Sequence, residues 1–209
     1  MAAIHFAQHL AHVLAFRHGP RERLPSDGNV WDLTADVSEE YAAIARATVA
    51  AYFPTLRPKA LRCSQIKRSR TSLRHLWPAL ADEIIEDPRL GLTEQDLPLW
   101  KDINVPGAYN MTPQDMMAGA PEVVGRSGKM LRAVADDLAE MVGSGNVGIL
   151  CSHSPFADVA ARDARIELGL RSNDGWLPGK GFESGAFLHF GYYSNGALKF
   201  CDYYSPIAA

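Results

Sequence analysis

Two short apolar runs, each ending abruptly in a polar loop with a histidine, most constrain what this chain can fold into. The first run covers residues 12–16 and stops just before His18, and the second covers residues 147–151 and stops just before His153. Compact apolar runs of this length are typical of strands buried in a parallel sheet. Both histidines are therefore predicted to lie where a strand ends.

Helical periodicity fills much of the chain around these strands. Apolar residues recur at helical spacing in four segments, residues 38–53, 64–77, 121–142 and 154–168. Ser64 and Ser154 are the first residues of two of these segments and are predicted as the N-caps of their helices. Residues 60–64 resemble a further strand, and residues 187–190 and 197–201 flank a turn-prone segment and predict a terminal hairpin.

The alternation of strands, loops and helices indicates an α/β fold. We expect a three-layer α/β/α sandwich with helices on both faces of a mainly parallel sheet. A chain of 209 residues that is 47% hydrophobic suits one core, so residues 1–209 are predicted to form a single domain. Ligands of such folds bind beyond the carboxyl ends of strands, which is where His18 and His153 are predicted to lie.

Composition argues against several classes of function. The formal charge is -3 and the 21 basic residues are spread along the chain, so nucleic acid is not an expected partner. No apolar run approaches the roughly 18 to 20 residues needed to cross a bilayer, so we expect a soluble protein with no membrane partner. Three widely spaced cysteines give neither a disulfide framework nor a zinc motif, which suggests a cytoplasmic location. The sequence leaves the oligomeric state open.

Three motifs stand in an informative order along the chain. Arg17-His18-Gly19 follows the first strand, Ser64 and Arg68 open a predicted helix, and Ser152-His153-Ser154 follows the second strand. Together they resemble the histidine phosphatase superfamily, in its phosphoglycerate-mutase-like branch. The similarity spans most of the chain, since residues 32–42 resemble the turn into that family's first helix and residues 87–96 resemble its acid loop.

The resemblance implies a phosphoryl-transfer site. His18 would be the nucleophile that forms a phosphohistidine, and Arg17 and Arg68 would bind the phosphate in bidentate geometry. His153 would add a further donor to the phosphate. The scheme needs no metal ion and no cofactor.

A carboxylic acid is expected to protonate the leaving group. The resemblance assigns this role to Glu94, and Asp87 and Asp96 in the same loop are the alternatives. Arg21, close behind the first motif, is a candidate for a further phosphate contact. Residues 91–120 have little periodicity and form either a small satellite core or a lid over the substrate.

The function most consistent with these motifs is a metal-independent phosphatase acting on phosphomonoesters. Its partner would be a small phosphorylated substrate or a phosphoprotein. A phosphatase acting on protein phosphohistidine or phosphotyrosine, a phosphoglycerate-type mutase and a catalytically silent binder of phosphorylated ligands are the alternatives. Mutases of the family carry longer insertions around the pocket, which favours a phosphatase for this short chain.

Overall fold

The computed structural model of the protein describes residues 4–19, 36–91, 96, 112–169 and 182–207, and six strands in these ranges form one sheet. The strands are Ala11–Arg17 (β1), Ala60–Cys63 (β2), Ile84–Glu86 (β3), Val147–Ser152 (β4), Phe187–Tyr192 (β5) and Leu198–Tyr204 (β6). Their order is β3-β2-β4-β1-β5-β6. Strands β1 to β4 run parallel, whereas β5 and β6 form an antiparallel hairpin beside β1. The mainly parallel sheet and the terminal hairpin confirm the prediction.

Helices connect the strands and cover both faces of the sheet. They are Glu39–Tyr52 (α1), Lys67–Leu76 (α2), Pro113–Gly119 (α3), Pro121–Val142 (α4) and Phe156–Glu167 (α5), with short 3-10 turns at Pro78–Glu83 and Pro88–Leu90. Helix α1 begins where the Ser38 side chain accepts a hydrogen bond from the Tyr41 amide, and α4 ends at Gly143, whose φ of 72° favours glycine. Within the described ranges, no helix combines the length and hydropathy needed to cross a bilayer.

The core lies on both sides of the sheet. Along β1, Val13 and Ala15 pack towards α4 and α5, whereas Leu14 and Phe16 pack towards α1 and α2. This alternation follows from the two-residue period of a strand, and a central strand buried on both faces explains the continuous apolar run. The three layers are thus those that the sequence predicts.

The structure differs from the sequence analysis at three places. Strand β3 was not predicted, because it has three residues of which only Ile84 is buried. Helix α2 begins at Lys67 and α5 at Phe156, with Ile66 and Pro155 at their N-cap positions. Ser64 and Ser154 therefore do not cap helices, and that prediction was wrong.

Candidate active site

The carboxyl ends of β1 and β4 meet at one edge of the sheet and bring the two predicted histidines together. Arg17 lies opposite Ser152 in the parallel register, and the His18 amide donates a hydrogen bond to the Ser152 carbonyl over 3.1 Å. The rings of His18 and His153 then lie 4.7 Å apart between centroids, inclined at 60°. The two motifs that are far apart in sequence form one cluster.

The imidazole of His18 is held in one tautomer. Its Nδ1 lies 2.6 Å from the carbonyl oxygen of Gly19, which can only accept, so Nδ1 carries the proton and Nε2 keeps its lone pair. Burial lowers the pKa of His18 well below its ordinary value, and the charges of His153, Arg17 and Arg68 lower it further. The ring is therefore neutral at pH 7, a state that the predicted role of His18 requires.

The loop that carries His18 is fixed against α1 and α2. A Cβ atom on Gly19 would lie 2.4 Å from Cδ1 of Tyr41, so only glycine fits this close approach. The Gly19 amide donates to Ser72 Oγ over 3.0 Å, and Ser72 Oγ donates to the Arg68 carbonyl over 2.7 Å. The Tyr41 hydroxyl donates to the Arg17 carbonyl over 3.3 Å. These contacts join the first motif to the start of α2, where Arg68 lies.

Two guanidinium groups flank the histidines. Nη1 of Arg17 donates to the carbonyl of Phe182, and Nε of Arg17 is buried with no hydrogen-bond partner among the described residues. Arg68 is buried in the first turn of α2. The charges of both arginines lower the pKa of His18 and of His153, so both lie near the imidazoles. The buried charge of Arg68 and the half-buried charge of Arg17, beside two neutral rings, make a strongly anion-attracting cluster.

His153 is oriented by a pair of serines. Burial and the charges of Arg68 and Arg17 lower the pKa of His153 to about 3. Its Nε2 lies 2.7 Å from Ser64 Oγ, and Ser64 Oγ donates to Ser69 Oγ over 2.7 Å. Since Ser64 Oγ donates its own proton to Ser69, it accepts a hydrogen bond from the Nε2–H group of His153. In the neutral ring, Nδ1 is then the nitrogen without a proton. Ser64 thus positions a histidine instead of capping α2.

The carboxylates expected to serve as the acid differ in their surroundings. Glu94 lies outside the described residues, as does Arg21. Burial raises the pKa of Asp87, but hydrogen bonds from Arg89 and Arg62 outweigh this effect and hold the pKa below its ordinary value. Asp87 is therefore poorly suited to donate a proton. Asp96 is 2% exposed, and its carboxylate accepts a hydrogen bond from Arg126.

One buried acid was missed by the sequence analysis. Asp158, in the first turn of α5, is 0% exposed, and its Oδ2 accepts a hydrogen bond from Ser154 Oγ over 2.7 Å. Burial raises the pKa of Asp158 to about 6, and the Ser154 hydroxyl and Arg17 offset part of that effect. The available signal was its spacing of four residues from Ser154 on an otherwise apolar helix face.

Comparison with known proteins identifies the fold. No protein-family model and no curated protein sequence matches the chain. A Bacillus stearothermophilus protein, YhfR, superposes with a TM-score of 0.59 at 14% identity, over 90% of this chain and 94% of that one. A mycobacterial glucosyl-3-phosphoglycerate phosphatase gives a TM-score of 0.58 at 16% identity, over 92% and 96%. A phosphoglycerate mutase from Bacillus anthracis gives 0.56 at 10% identity, over 92% of each chain.

These similarities extend over nearly the whole length of both chains in each pair, so they concern the complete arrangement of sheet and helices. Two of the three structures are described as enzymes of phosphorylated metabolites. The two histidine motifs of the sequence, around His18 and His153, lie together at one edge of the sheet. The chain thus has the same fold as these structures, a phosphoglycerate-mutase-like fold, as the resemblance of its sequence predicted.

Proposed function

We propose that this protein is a phosphatase that hydrolyses phosphomonoesters through a phosphohistidine intermediate on His18. The observation that supports this best is the neutral, half-buried ring of His18, whose Nδ1 is hydrogen-bonded to Gly19 while Arg17 and Arg68 lie beside it. A neutral imidazole with a free Nε2 lone pair is a competent nucleophile towards phosphorus. The neighbouring guanidinium groups would attract the phosphate to it.

The two arginines would stabilise the transition state. Phosphoryl transfer spreads negative charge over three equatorial oxygens, so catalysis depends on fixed positive charge and accurate positioning. Arg17 has a buried Nε donor available, and a guanidinium can present two parallel donors to a phosphate. A phosphate dianion would also favour the cationic form of His153. Because Nε2 of His153 is committed to Ser64, Nδ1 is the atom that would donate to the phosphoryl oxygen.

The reaction would proceed in two steps, phosphorylation of His18 and hydrolysis of the phosphohistidine. In the first, Nε2 of His18 forms a bond to phosphorus while the ester oxygen leaves and takes a proton from an acid, for which Glu94 is the proposed residue. In the second, the same carboxylate takes a proton from water, which attacks phosphorus, breaks the P–N bond and releases phosphate. Asp87 and Asp96 are less suited to this role, since both carboxylates are hydrogen-bonded to arginines.

The choice of phosphatase over mutase is part of the proposal. The similar structures include one enzyme of each kind, and a shared fold does not separate the two activities. Chain length does not separate them either, because the phosphoglycerate mutase matches over 92% of each chain, and the fate of the phosphoryl group decides between the two. The substrate would be a small phosphorylated molecule or a phosphorylated protein side chain.

Rapid mixing with p-nitrophenyl phosphate, without added metal, tests the mechanism. The reaction is quenched in base within milliseconds, and the digested protein is analysed by mass spectrometry. We expect an acid-labile phosphoryl group on the peptide that contains His18 and none on the peptide that contains His153.

Turnover without any adduct on His18 would show that water attacks the ester directly and would overturn the phosphohistidine mechanism. An adduct that forms and is never hydrolysed would overturn the phosphatase activity but leave the nucleophile in place. Transfer of the phosphoryl group to a second substrate, in preference to water, would establish a mutase instead.

A further inference from the structure

A carboxylate is buried close to the anion-binding cluster, at the start of α5. Asp158 comes five residues after His153 and is 0% exposed. Its Oδ2 accepts from the Ser154 hydroxyl, but its Oδ1 is buried without a hydrogen-bond partner among the described residues. An ionised carboxylate that is removed from water with one oxygen unpaired is costly. A residue of this kind beside a catalytic cluster needs a physical explanation.

A positive charge close to Asp158 lies at the end of β1. Arg17, at the end of β1, is the positively charged group that favours the ionised form of Asp158. Tyr203 on β6 faces the same carboxylate, and Glu183 acts on both Arg17 and Tyr203. Arg17 therefore has one negative neighbour in Asp158 and a second in Glu183.

The helices around Asp158 add little to this balance. Helix α4 approaches α5 through Gly128, which packs against Val159. Along α5 itself, Arg162 lies one turn beyond Asp158 and forms an ion pair with its sequence neighbour Asp163. Among the charged groups of the described residues, Arg17 is the one that lowers the pKa of Asp158, together with hydrogen bonds from the Ser154 hydroxyl and from the backbone of Phe182 and Asp158.

We propose that Asp158 is a positioning residue that couples phosphate binding to proton uptake: it is the ionised counter-charge of Arg17 in the free protein and becomes protonated when a dianion binds Arg17. The inference rests on the proposed function, because it takes Arg17 as a phosphate ligand. In its protonated form Asp158 no longer competes with the phosphate for the charge of Arg17. The protonated carboxyl can also donate a hydrogen bond, which an ionised one cannot.

The energetics of this coupling follow from like-charge repulsion. A dianion held at Arg17 disfavours a second negative charge nearby and so raises the pKa of Asp158. Burial has already raised that pKa to about 6, so a modest further rise protonates the group near neutral pH. The hydrogen bond from Ser154 opposes this change, because it stabilises the ionised form.

Calorimetric titration with sulfate, which stays a dianion from pH 5 to pH 8, tests the proposal without turnover. Titrations in two buffers of different ionisation enthalpy report the protons taken up on binding. If sulfate raises the pKa of Asp158 by one unit, wild-type affinity should be about sevenfold higher at pH 5 than at pH 7.5. Asp158→Asn should bind sulfate more tightly than the wild type at pH 7.5, with a smaller difference between pH 5 and pH 7.5 and with less proton uptake.

The histidines also take up protons when an anion binds, but they do so in both proteins, so the difference between wild type and Asp158→Asn belongs to Asp158. A merely structural role predicts that Asp158→Asn weakens sulfate binding at every pH, and that result would overturn the proposal. Equal proton uptake by the two proteins would overturn it as well.

Ser154→Ala is the matched variant, because it keeps the carboxylate and removes the hydrogen bond that holds it ionised. Its proton uptake on sulfate binding should be centred at a higher pH than in the wild type. If Ser154→Ala folds and its proton uptake depends on pH as in the wild type, the proposal is overturned. This test holds even if Asp158→Asn does not fold. Sulfate binding with unequal uptake but no phosphohistidine would overturn the proposed mechanism alone. Absence of sulfate binding at any pH would overturn both.

Discussion

Two pairs of histidines lie on the same sheet and differ in their surroundings: three of the four side chains are buried and that of His18 is half-buried. His18 and His153 lie at the carboxyl ends of β1 and β4 with ring centroids 4.7 Å apart, and His12 and His189 lie on β1 and β5 with centroids 5.1 Å apart. Nδ1 of His12 is 2.9 Å from Nε2 of His189. Burial lowers the pKa of all four residues, and that of His189 falls to about 3.

The neighbours of each pair determine what it can do. The rings of Phe6 and Phe200 surround His12 and His189, whereas Arg17 and Arg68 act on His18 and His153. Burial alone is thus enough to keep an imidazole neutral. A neutral imidazole becomes a phosphate site only where fixed positive charge lies beside it.

The largest difference between the two pairs is expected in kcat, when one imidazole of each pair is replaced. His18→Ala should lower kcat for p-nitrophenyl phosphate by about 10⁴-fold or more, because no other group forms the intermediate. Its circular dichroism spectrum and Tm should stay close to wild type, since a loop residue contributes little packing. The matched variant His189→Gln should keep kcat at pH 7 within about twofold of wild type. Retained turnover in His18→Ala would remove the distinction between the pairs.

Replacing Arg68 by lysine keeps the positive charge beside the first pair but changes the group that carries it. Arg68→Lys should lower kcat/KM by about 10²-fold, because an ammonium cannot give two parallel hydrogen bonds to the phosphate. Arg70→Lys is the control on the same helix, since Arg70 pairs with Glu86 over 2.9 Å at the surface. Equal effects of the two substitutions on kcat/KM would contradict the placement of Arg68 at the phosphate.

Orientation of the second ring should matter less than charge. Ser64→Ala removes the acceptor for Nε2 of His153 and should lower kcat by about tenfold, with a smaller change in KM. Steady-state kinetics across leaving groups checks this expectation. An unchanged kcat with a lowered Tm would make Ser64 a packing residue only.

At the second pair the expected effect is on stability instead of turnover. The ordinary pKa of 6.5 for His189 falls to about 3 in the folded protein, so the unfolded chain binds the extra proton between these values. The contribution of His189 is fully present above about pH 6.5 and is lost as the pH falls towards 3, by up to about 1.4 kcal/mol per pH unit. His189→Gln should flatten this loss in urea titrations from pH 7 to pH 4. An identical slope in both proteins would contradict the assignment.

The sequence predicted the parts of the site that have a local signal. An apolar strand that ends at His18 or His153 is visible as a run, and parallel pairing brings such ends together. The serines were misassigned because a serine before a helix usually caps it, whereas Ser64 and Ser154 bond partners that only the fold brings near. Asp158 was missed because its spacing from Ser154 is a weak signal, and its burial depends on the packing of α5 against the sheet.

Some predictions concern residues that the structure does not describe. Glu94 as the acid and Arg21 as a phosphate ligand stay predictions, as do a single domain over residues 1–209 and a cytoplasmic location. Of residues 91–120, the structure describes Gly91, Asp96 and the segment that holds α3. The cores on the two faces of the sheet, by contrast, follow directly from the alternation of side chains along β1.

The position of β1 in the sheet has a consequence for amide exchange. β1 has a hydrogen-bonded neighbour on each side, β4 and β5, so its amides should open only with the unfolding of the whole sheet and exchange most slowly with deuterium. Arg17 is the last residue of that strand, and His18 continues its hydrogen bonding to β4. A substrate would therefore meet a nucleophile that is already held in place, and little of its binding energy would go into ordering this strand.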